Sequence, residues 1–326
     1  MRLLVTGGAG FIGSHFVRTA LTTGYEGVDV DGLTVLDALT YAGNPANLES
    51  VAHDDRYLFV HGDIRDRDTV RGLLDDHDVV VNFAAETHVD RSIDDAAEFI
   101  GTNIVGAQTL FDECLRARVR RVLHVSTDEV YGTIPEGSWT EASPLEPNSP
   151  YAAAKASADL LARAYARTHG LPVVVTRCSN NYGPYQYPEK VIPLFVTRLM
   201  DGGNVPLYGD GRNVRDWLHV DDHGLGIAVA LTRGDDGGVY NIGGGTELTN
   251  RELTSRLLAA FGAGPERIDL VPDRLGHDLR YSLDDSLLRS LGYQPRHTFD
   301  EGLAETVEWY RTHEAWWRPL LEGARS

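Results

Sequence analysis

Three features of this sequence predict an α/β fold, a doubly wound parallel sheet with a smaller, interleaved C-terminal lobe. Short apolar runs bounded by turn residues recur at residues 2–6, 33–36, 57–61, 79–83, 121–126 and 172–176, as buried parallel strands do. Segments of helical periodicity, at 12–22, 94–117 and 150–169, lie between most of them, which is the βαβ alternation of such a sheet. After Arg177 the rhythm breaks. CSNNYGPYQYPEK is rich in Asn, Tyr, Pro and Gly and leads to a helix near 191–200, marking the crossing into the lobe. Strands near 216–220 and 239–242 are expected to return to the first sheet, and a helix over 249–261 begins with Thr249 or Asn250 as its cap.

The chain has 326 residues, long enough for one large domain with a lobe, and its 42% hydrophobic and 24% charged residues are those of a folded globular protein. The net charge of −18 argues against a broad surface for nucleic acid or anionic lipid, so an anionic ligand must meet local positive charge. Two cysteines, Cys114 and Cys178, fit neither a zinc pair nor a redox CxxC. Reduced thiols and a cytoplasmic location are expected. Met1 leads directly into an apolar strand with no leader-like pattern, and no apolar run approaches the ~20 residues that span a bilayer, so a mature soluble protein is expected.

The segment TGGAGFIGS, Thr6 to Ser14, follows the first strand and opens the first helix, with Gly7, Gly10 and Gly13 at three-residue intervals. Glycines permit the tight turn and let backbone N–H groups approach a pyrophosphate at the positive end of a helix, as in a Rossmann-type fold. The spacing is GxxGxxG and not the commoner GxGxxG. Asp37 ends the second strand, 24 residues beyond Gly13, where a carboxylate accepts from ribose hydroxyls and repels a 2′-phosphate. NAD is the cofactor this favours over NADP. Asp63 and Ile64, just past the third strand, fall where the adenine would lie.

SPYAAAKAS places Tyr151 and Lys155 four apart, on one face at the start of a helix. A phenol titrates near ~10, but an adjacent ammonium and a nicotinamide cation favour phenolate, making Tyr151 a base near neutrality. VSTDEVYG puts Thr127, Asp128 and Glu129 at the carboxyl end of the fifth strand, where the crevice of an open α/β sheet takes its ligand. Thr127 can bond the reacting oxygen. Two adjacent carboxyls push their pKa values apart, so one can serve as acid and the other as base. A solvated acidic turn is the reading this pair would have elsewhere in the chain.

Together these residues resemble the extended short-chain dehydrogenase/reductases and, within them, the dTDP-glucose 4,6-dehydratases, over nearly the whole chain. TGGAGFIGS and YAAAK are shared with epimerases and decarboxylases of the superfamily, whereas STDEVYG, FAAETHVDRS, RCSNNYGPYQYPEK and DRLGHDLRY resemble the dehydratases in particular. The resemblance implies that Tyr151, aided by Lys155 and Thr127, removes the C4 hydroxyl proton as hydride passes to NAD. Glu129 then abstracts the C5 proton while Asp128 protonates the departing C6 hydroxyl, and hydride returns to C6. The product is a 4-keto-6-deoxy sugar nucleotide.

The same resemblance implies cofactor contacts from Gly7, Gly10, Phe11, Ile12, Gly13, Asp37, Asp63, Ile64, Ala84, Ala85, Glu86, Thr102, Tyr151, Lys155 and Asn181. It implies substrate contacts from Thr87, Thr127, Asn180, Lys190, Val191, Pro206, Tyr208, Arg215, Asn250, Arg274 and His277, with Arg280 assisting. Thr87 stands where Ser is common and Val191 where Leu is common. Residues 1–177 plus about 216–242 are expected to form the NAD-binding part, and about 178–215 plus 243–326 the nucleotide-sugar lobe. A homodimer packed through the helices at 94–117 and 150–169 is implied as well.

His88, Asp90 and Arg91 are expected to shape a loop, and Trp316 and Trp317 to anchor a C-terminal helix. Twelve histidines without ligand spacing predict no metal site, and no GxSxG hydrolase motif occurs. The alternatives are a nucleotide-sugar 4-epimerase or decarboxylase on the same scaffold, or a non-catalytic NAD-binding protein. Thymidine and uridine nucleotides are not distinguished.

Overall fold

The computed structural model describes residues 1–273 and 277–323. Its strands in chain order are β1 (Arg2–Thr6), β2 (Gly32–Asp37), β3 (Tyr57–His61), β4 (Val79–Asn82), β5 (Arg121–Thr127), β6 (Val173–Cys178), β7 (Asn180–Tyr182), β8 (Val205–Tyr208), β9 (Val214–His219), β10 (Val239–Ile242), β11 (Glu247–Thr249) and β12 (Ile268–Val271). Seven of them form one sheet in the order β10-β6-β5-β4-β1-β2-β3, with every neighbouring pair parallel. This is the doubly wound Rossmann-type sheet.

The strands are apolar on both faces because both faces are covered. Leu3, Val5, Val79, Val81, Leu123, Val125 and Val174 point into one buried cluster, shared with the helices Phe11–Leu21 and Val220–Arg233. Their alternating neighbours Leu4, Val80, Val122, Val173 and Val175 point into the opposite one, with the helices Arg67–Leu74, Ala107–Ala117 and Pro150–His169. The side-chain period of two along each strand therefore feeds two layers at once.

Caps fix the helix ends as the sequence suggests. Ser149 accepts from the Ala152 N–H ahead of Pro150, and Gly170 closes the same helix in the left-handed conformation. Thr249 caps Asn250–Ala260 with a capping box completed by Glu252. The expected single helix over 94–117 is instead interrupted. Val89–Asp94 ends at an extended Asp95, and Ala97–Phe99 leads into a π-helical stretch, Ile100–Gly106, before Ala107–Ala117. A Cβ on Gly106 would stand 2.8 Å from the Ile64 side chain, so this stretch runs hard against the loop after β3.

A second correction concerns β9. It does not return to the large sheet but pairs with β11 and β7 in a three-stranded sheet of its own. The edge beside β6 is occupied by β10, as expected, and residue 220 already belongs to a helix, Val220–Arg233, capped by His219. The β9 side chains are buried on both faces in either arrangement, so patterning could not choose between the sheets.

A third apolar cluster joins β9 to the helices Val191–Met200, Asn250–Ala260 and Phe299–Thr312, with Tyr182, Trp217, Phe299, Tyr310 and Trp317 at its centre. Trp317 is fully buried and donates to the Tyr310 carbonyl at 2.9 Å, the packing anchor expected of it. Among the described residues, no helix is long and apolar enough to cross a membrane.

Candidate active site

The chain winds from β1 outward through β2 to β3 and then returns to place β4 on the other side of β1. Connections on either side of this switch point leave toward opposite faces, which opens a crevice at the carboxyl ends of β1 and β4. A cavity of about 320 Å³ lies there, within the range of ligand pockets. It is walled by the glycine turn, the ends of β2, β4, β5 and β6, and the start of the helix Pro150–His169.

The glycine turn has the shape that a bound pyrophosphate needs. Gly7 has φ +69°, and a Cβ on it would lie 2.5 Å from the Ala84 nitrogen, while one on Gly13 would lie 2.3 Å from the Gly7 carbonyl. At Gly10 the same atom would meet only the Gly7 carbonyl, at 3.3 Å, so that glycine keeps the helix N-terminus open toward the cavity. Asp37 lines the cavity and accepts from the Ala9 and Leu39 N–H groups, each at 2.8 Å. Burial raises its carboxyl above the usual range, with these two bonds acting against the rise. Phe11, Ile12, Asp63, Ile64, Ala84, Ala85, Glu86, Thr102 and Asn181 complete that wall. Asp63 is also paired with Arg65 at 2.7 Å.

Two supports of this wall escaped the sequence reading. Asn103 accepts from the Glu86 N–H at 2.9 Å and donates to its carbonyl at 3.0 Å, pinning the loop after β4. His223 lies 2.8 Å from Asn181 Oδ1. Asn44, Asn47, Tyr185, Gln186, Tyr187 and Trp316 also line the cavity, and Trp316 donates to Asn47 at 2.9 Å, so it is more than a packing residue. Their positions depend on distant segments meeting, for which the local sequence carries no signal. His88 caps Val89–Asp94 and contacts Glu189 at 3.4 Å, consistent with a loop-shaping role.

The residues read as catalytic all line this cavity. Thr127 ends β5 and caps the short turn Asp128–Tyr131, accepting from the Glu129 N–H and donating to Asp128 Oδ1 at 3.2 Å. Burial first, and then the Glu129 and Asp216 carboxylates, push the Asp128 carboxyl well above its ordinary value. Its Oδ2 is buried without a hydrogen-bond partner, as is Asn180 Oδ1 across the cavity. Burial and the two neighbouring carboxylates thus favour the protonated form of Asp128, the form able to give up a proton. Lys155 is buried, with Nζ donating to the Val125 carbonyl at 2.7 Å, and burial lowers its pKa.

Tyr151 departs from expectation. Burial, followed by the Glu129 carboxylate, raises its phenol well above the ordinary value, so the protein's own groups hold it protonated. Lowering it takes a neighbouring cation, such as the Lys155 ammonium or a nicotinamide.

The substrate positions fall into two sets. Thr87, Thr127, Asn180 and Lys190 line the cavity, and Tyr41 and Thr87 share a hydrogen bond of 3.0 Å. Val191, Pro206, Tyr208, Arg215, Asn250 and His277 do not line it. Arg215 stands just beyond, its charge opposing the rise at Asp128, its guanidinium bonded to the Asp278 carbonyl at 3.0 Å and stacked 4.3 Å over Tyr281. Tyr208 and His277 meet edge to face at 6.4 Å, Pro206 lies on the neighbouring β8, and Asn250 opens the helix after β11. Arg274 lies outside the described residues. Arg280 forms a two-point ion pair with Glu247.

Residues 4–306 match the family model of GDP-mannose 4,6 dehydratase. The chain belongs to this family. Similar members are the dTDP-glucose 4,6-dehydratases of Streptomyces niveus, 59% identical over 98% of this chain and 96% of that one, and of an Actinoplanes strain, 60% identical over 97% and 100%. The fold is similar to a crystal structure of dTDP-glucose 4,6-dehydratase from Streptomyces venezuelae with NAD bound, at TM-score 0.97 and 62% identity, covering 98% of this chain and 100% of that one. It is also similar, at 34% identity and TM-score 0.87, to UDP-glucose 4-epimerase from Thermus thermophilus, covering 96% and 100%.

Replacing Asp128 by Asn removes a group whose folded pKa is raised. Such a group is neutral for stability below its unfolded pKa of about 4 and costs stability as pH rises from there toward its folded value. D128N is expected to melt above the parent at about pH 8 and level with it near pH 4. Calorimetry at both pH values checks this, and equal Tm at the higher one contradicts the assigned protonation.

Proposed function

We propose that the chain is an NAD-dependent hydro-lyase, a nucleotide-sugar 4,6-dehydratase that converts dTDP-glucose to dTDP-4-keto-6-deoxyglucose. The observation that carries the reading is the buried Asp128, its carboxyl pushed above the ordinary value, beside Glu129 and lining the same cavity as Tyr151 and Lys155. When bound, NAD supplies a two-electron acceptor and donor, taking hydride from C4 and returning it at C6. Tyr151 takes the C4 hydroxyl proton, with Lys155 stabilising the phenolate and Thr127 bonding the oxygen as it becomes a ketone. The ketone acidifies C5–H, Glu129 removes that proton, Asp128 protonates the C6 hydroxyl as it leaves as water, and Glu129 gives its proton back to C5 as hydride returns to C6. An epimerase needs no acid for a leaving hydroxyl.

The cofactor lies, in this reading, along Gly7, Gly10, Gly13, Asp37, Asp63 and Ile64, with Ala84 to Glu86, Thr102 and Asn181 around the ribose and nicotinamide. The sugar lies against Thr87, Thr127 and Asn180. Lys190, Val191, Pro206, Tyr208, Arg215, Asn250, Arg274 and His277 extend the site for the nucleotide diphosphate. The NAD-binding part is then residues 1–177 with about 220–242, and the remainder is the sugar-nucleotide lobe, to which β9 belongs through its own sheet and the third apolar cluster.

The working form is a homodimer, supported by exposed Ile93, Ile100 and Val105 beside exposed Leu160 on two adjoining helical segments. The two buried free cysteines suit the cytoplasm, which cell fractionation checks.

Incubation with dTDP-glucose is expected to give a base-labile 4-keto chromophore, with weaker turnover of UDP-glucose. A product with inverted C4 and no ketone overturns the reading. Glu129→Gln is expected to retain oxidation at C4, seen as reduced cofactor, while elimination falls by ~10²–10⁴-fold. Elimination at the parental rate removes Glu129 from its role. Leu160→Asp is expected to convert the dimer to monomer in sedimentation velocity, and a monomeric parent disposes of the dimer.

A further inference from the structure

Behind the catalytic pair lies a buried ion pair that the reaction as described does not use. Tyr151, Lys155 and Asp159 stand at successive turns of one helix, on the face turned to the sheet. Asp159 is fully buried, and its Oδ2 accepts from Arg177 Nε of β6 at 2.8 Å. Arg177 is also buried and donates to the Tyr131 hydroxyl at 2.8 Å, which donates to Asn241 at 2.9 Å. On the other side, Asp159 Oδ1 has no hydrogen-bond partner and faces His124 Nε2 at 3.9 Å. His124 Nδ1 lies 2.9 Å from Asn82 Nδ2, a donor only, so the neutral ring carries its proton on Nε2, toward Asp159.

A pair this deep is a poor source of stability, since desolvating two charges offsets most of their attraction. Its place beneath Lys155 suggests another use. We propose that Asp159, paired with Arg177 and one helical turn from Lys155, is the positioning residue for the buried Lys155 ammonium, so that it can stabilise the Tyr151 phenolate. Lys155 is buried, and it spends one N–H on the Val125 carbonyl. Burial drives it toward the neutral amine, and the Asp159 carboxylate is the foremost group opposing that.

The other groups facing it do not replace Asp159. Cys178 of β6 is held neutral by burial, pushed up to about 12, and His124 of β5 is held neutral by burial, pushed down. The Asp128 carboxyl is pushed well above its ordinary value by burial, and Arg177 is itself cationic. A carboxylate one turn away on the same helix remains.

The inference rests on the proposed reaction, and its test separates the two. The double variant D159N/R177M removes the carboxylate without leaving an unpaired guanidinium, and D159E keeps a carboxylate in the same place. The pH profile of kcat for dTDP-glucose, with reduction of bound NAD followed in the same samples, is measured for both. The double variant is expected to lose activity at a pH about 1–3 lower on the alkaline side, while D159E keeps the parental limb. A uniform loss of rate with an unmoved limb, or equal profiles for both variants, overturns the proposal and leaves the dehydratase reading standing. If the double variant does not fold, D159N/R177Q, which keeps hydrogen-bonding groups at both positions without either charge, carries the same readout. A parent that does not turn over dTDP-glucose defeats the functional reading instead.

Discussion

Desolvation at the carboxyl ends of the central strands is the constraint on which the site depends. Once β1, β4, β5 and β6 are covered on both faces, whatever lies just past their ends is removed from bulk water but faces a cavity. The same burial acts in opposite directions on different groups. It pushes the Asp128 carboxyl up toward its protonated form, keeps the Tyr151 phenol neutral, and presses Lys155 toward the amine. The raised Asp128 carboxyl follows from burial and from the neighbouring Glu129 and Asp216 carboxylates, whereas a phenolate and an ammonium each need a partner of opposite charge.

Those partner charges come from different places. The phenolate is favoured by a bound nicotinamide cation, so proton removal from the sugar is coupled to loading of the cofactor. The ammonium is served from within, by the carboxylate one turn further along the helix. A single helix, capped by Ser149 and started by Pro150, thereby sets Tyr151, Lys155 and Asp159 in register with the ends of β5 and β6. The glycine turn does the complementary task on the other side of β1, where absent side chains let the backbone close around a diphosphate.

Much of this was legible in one dimension. Six strands of the large sheet, the long helix and the glycine turn follow from apolar runs, 3.6-residue periodicity and glycine spacing, because each is set by interactions within a few residues. The error at β9 has a different origin. A strand buried on both faces reads the same in any sheet, and its neighbours β7 and β11 lie more than thirty residues away on either side. The π-helical stretch at Ile100–Gly106 packs closely against Ile64 of the loop after β3, a contact that helical periodicity does not report. Trp316 looked like packing alone, since its partner Asn47 lies at the other end of the chain.

What the sequence alone determined, then, is the chemistry available: a dinucleotide turn with an acidic residue after the second strand, a tyrosine and lysine one turn apart, and two adjacent carboxyls after the fifth strand. Tertiary structure decided the state of those groups and which of them share a cavity. It separated Thr87, Asn180 and Lys190, which line that cavity, from Tyr208, Asn250 and His277, which do not, and it placed the Asp159–Arg177 pair beneath Lys155. The physical reason is that residue types and spacings are local properties, whereas protonation depends on how much water and which charges surround a group. Only the folded chain brings those together.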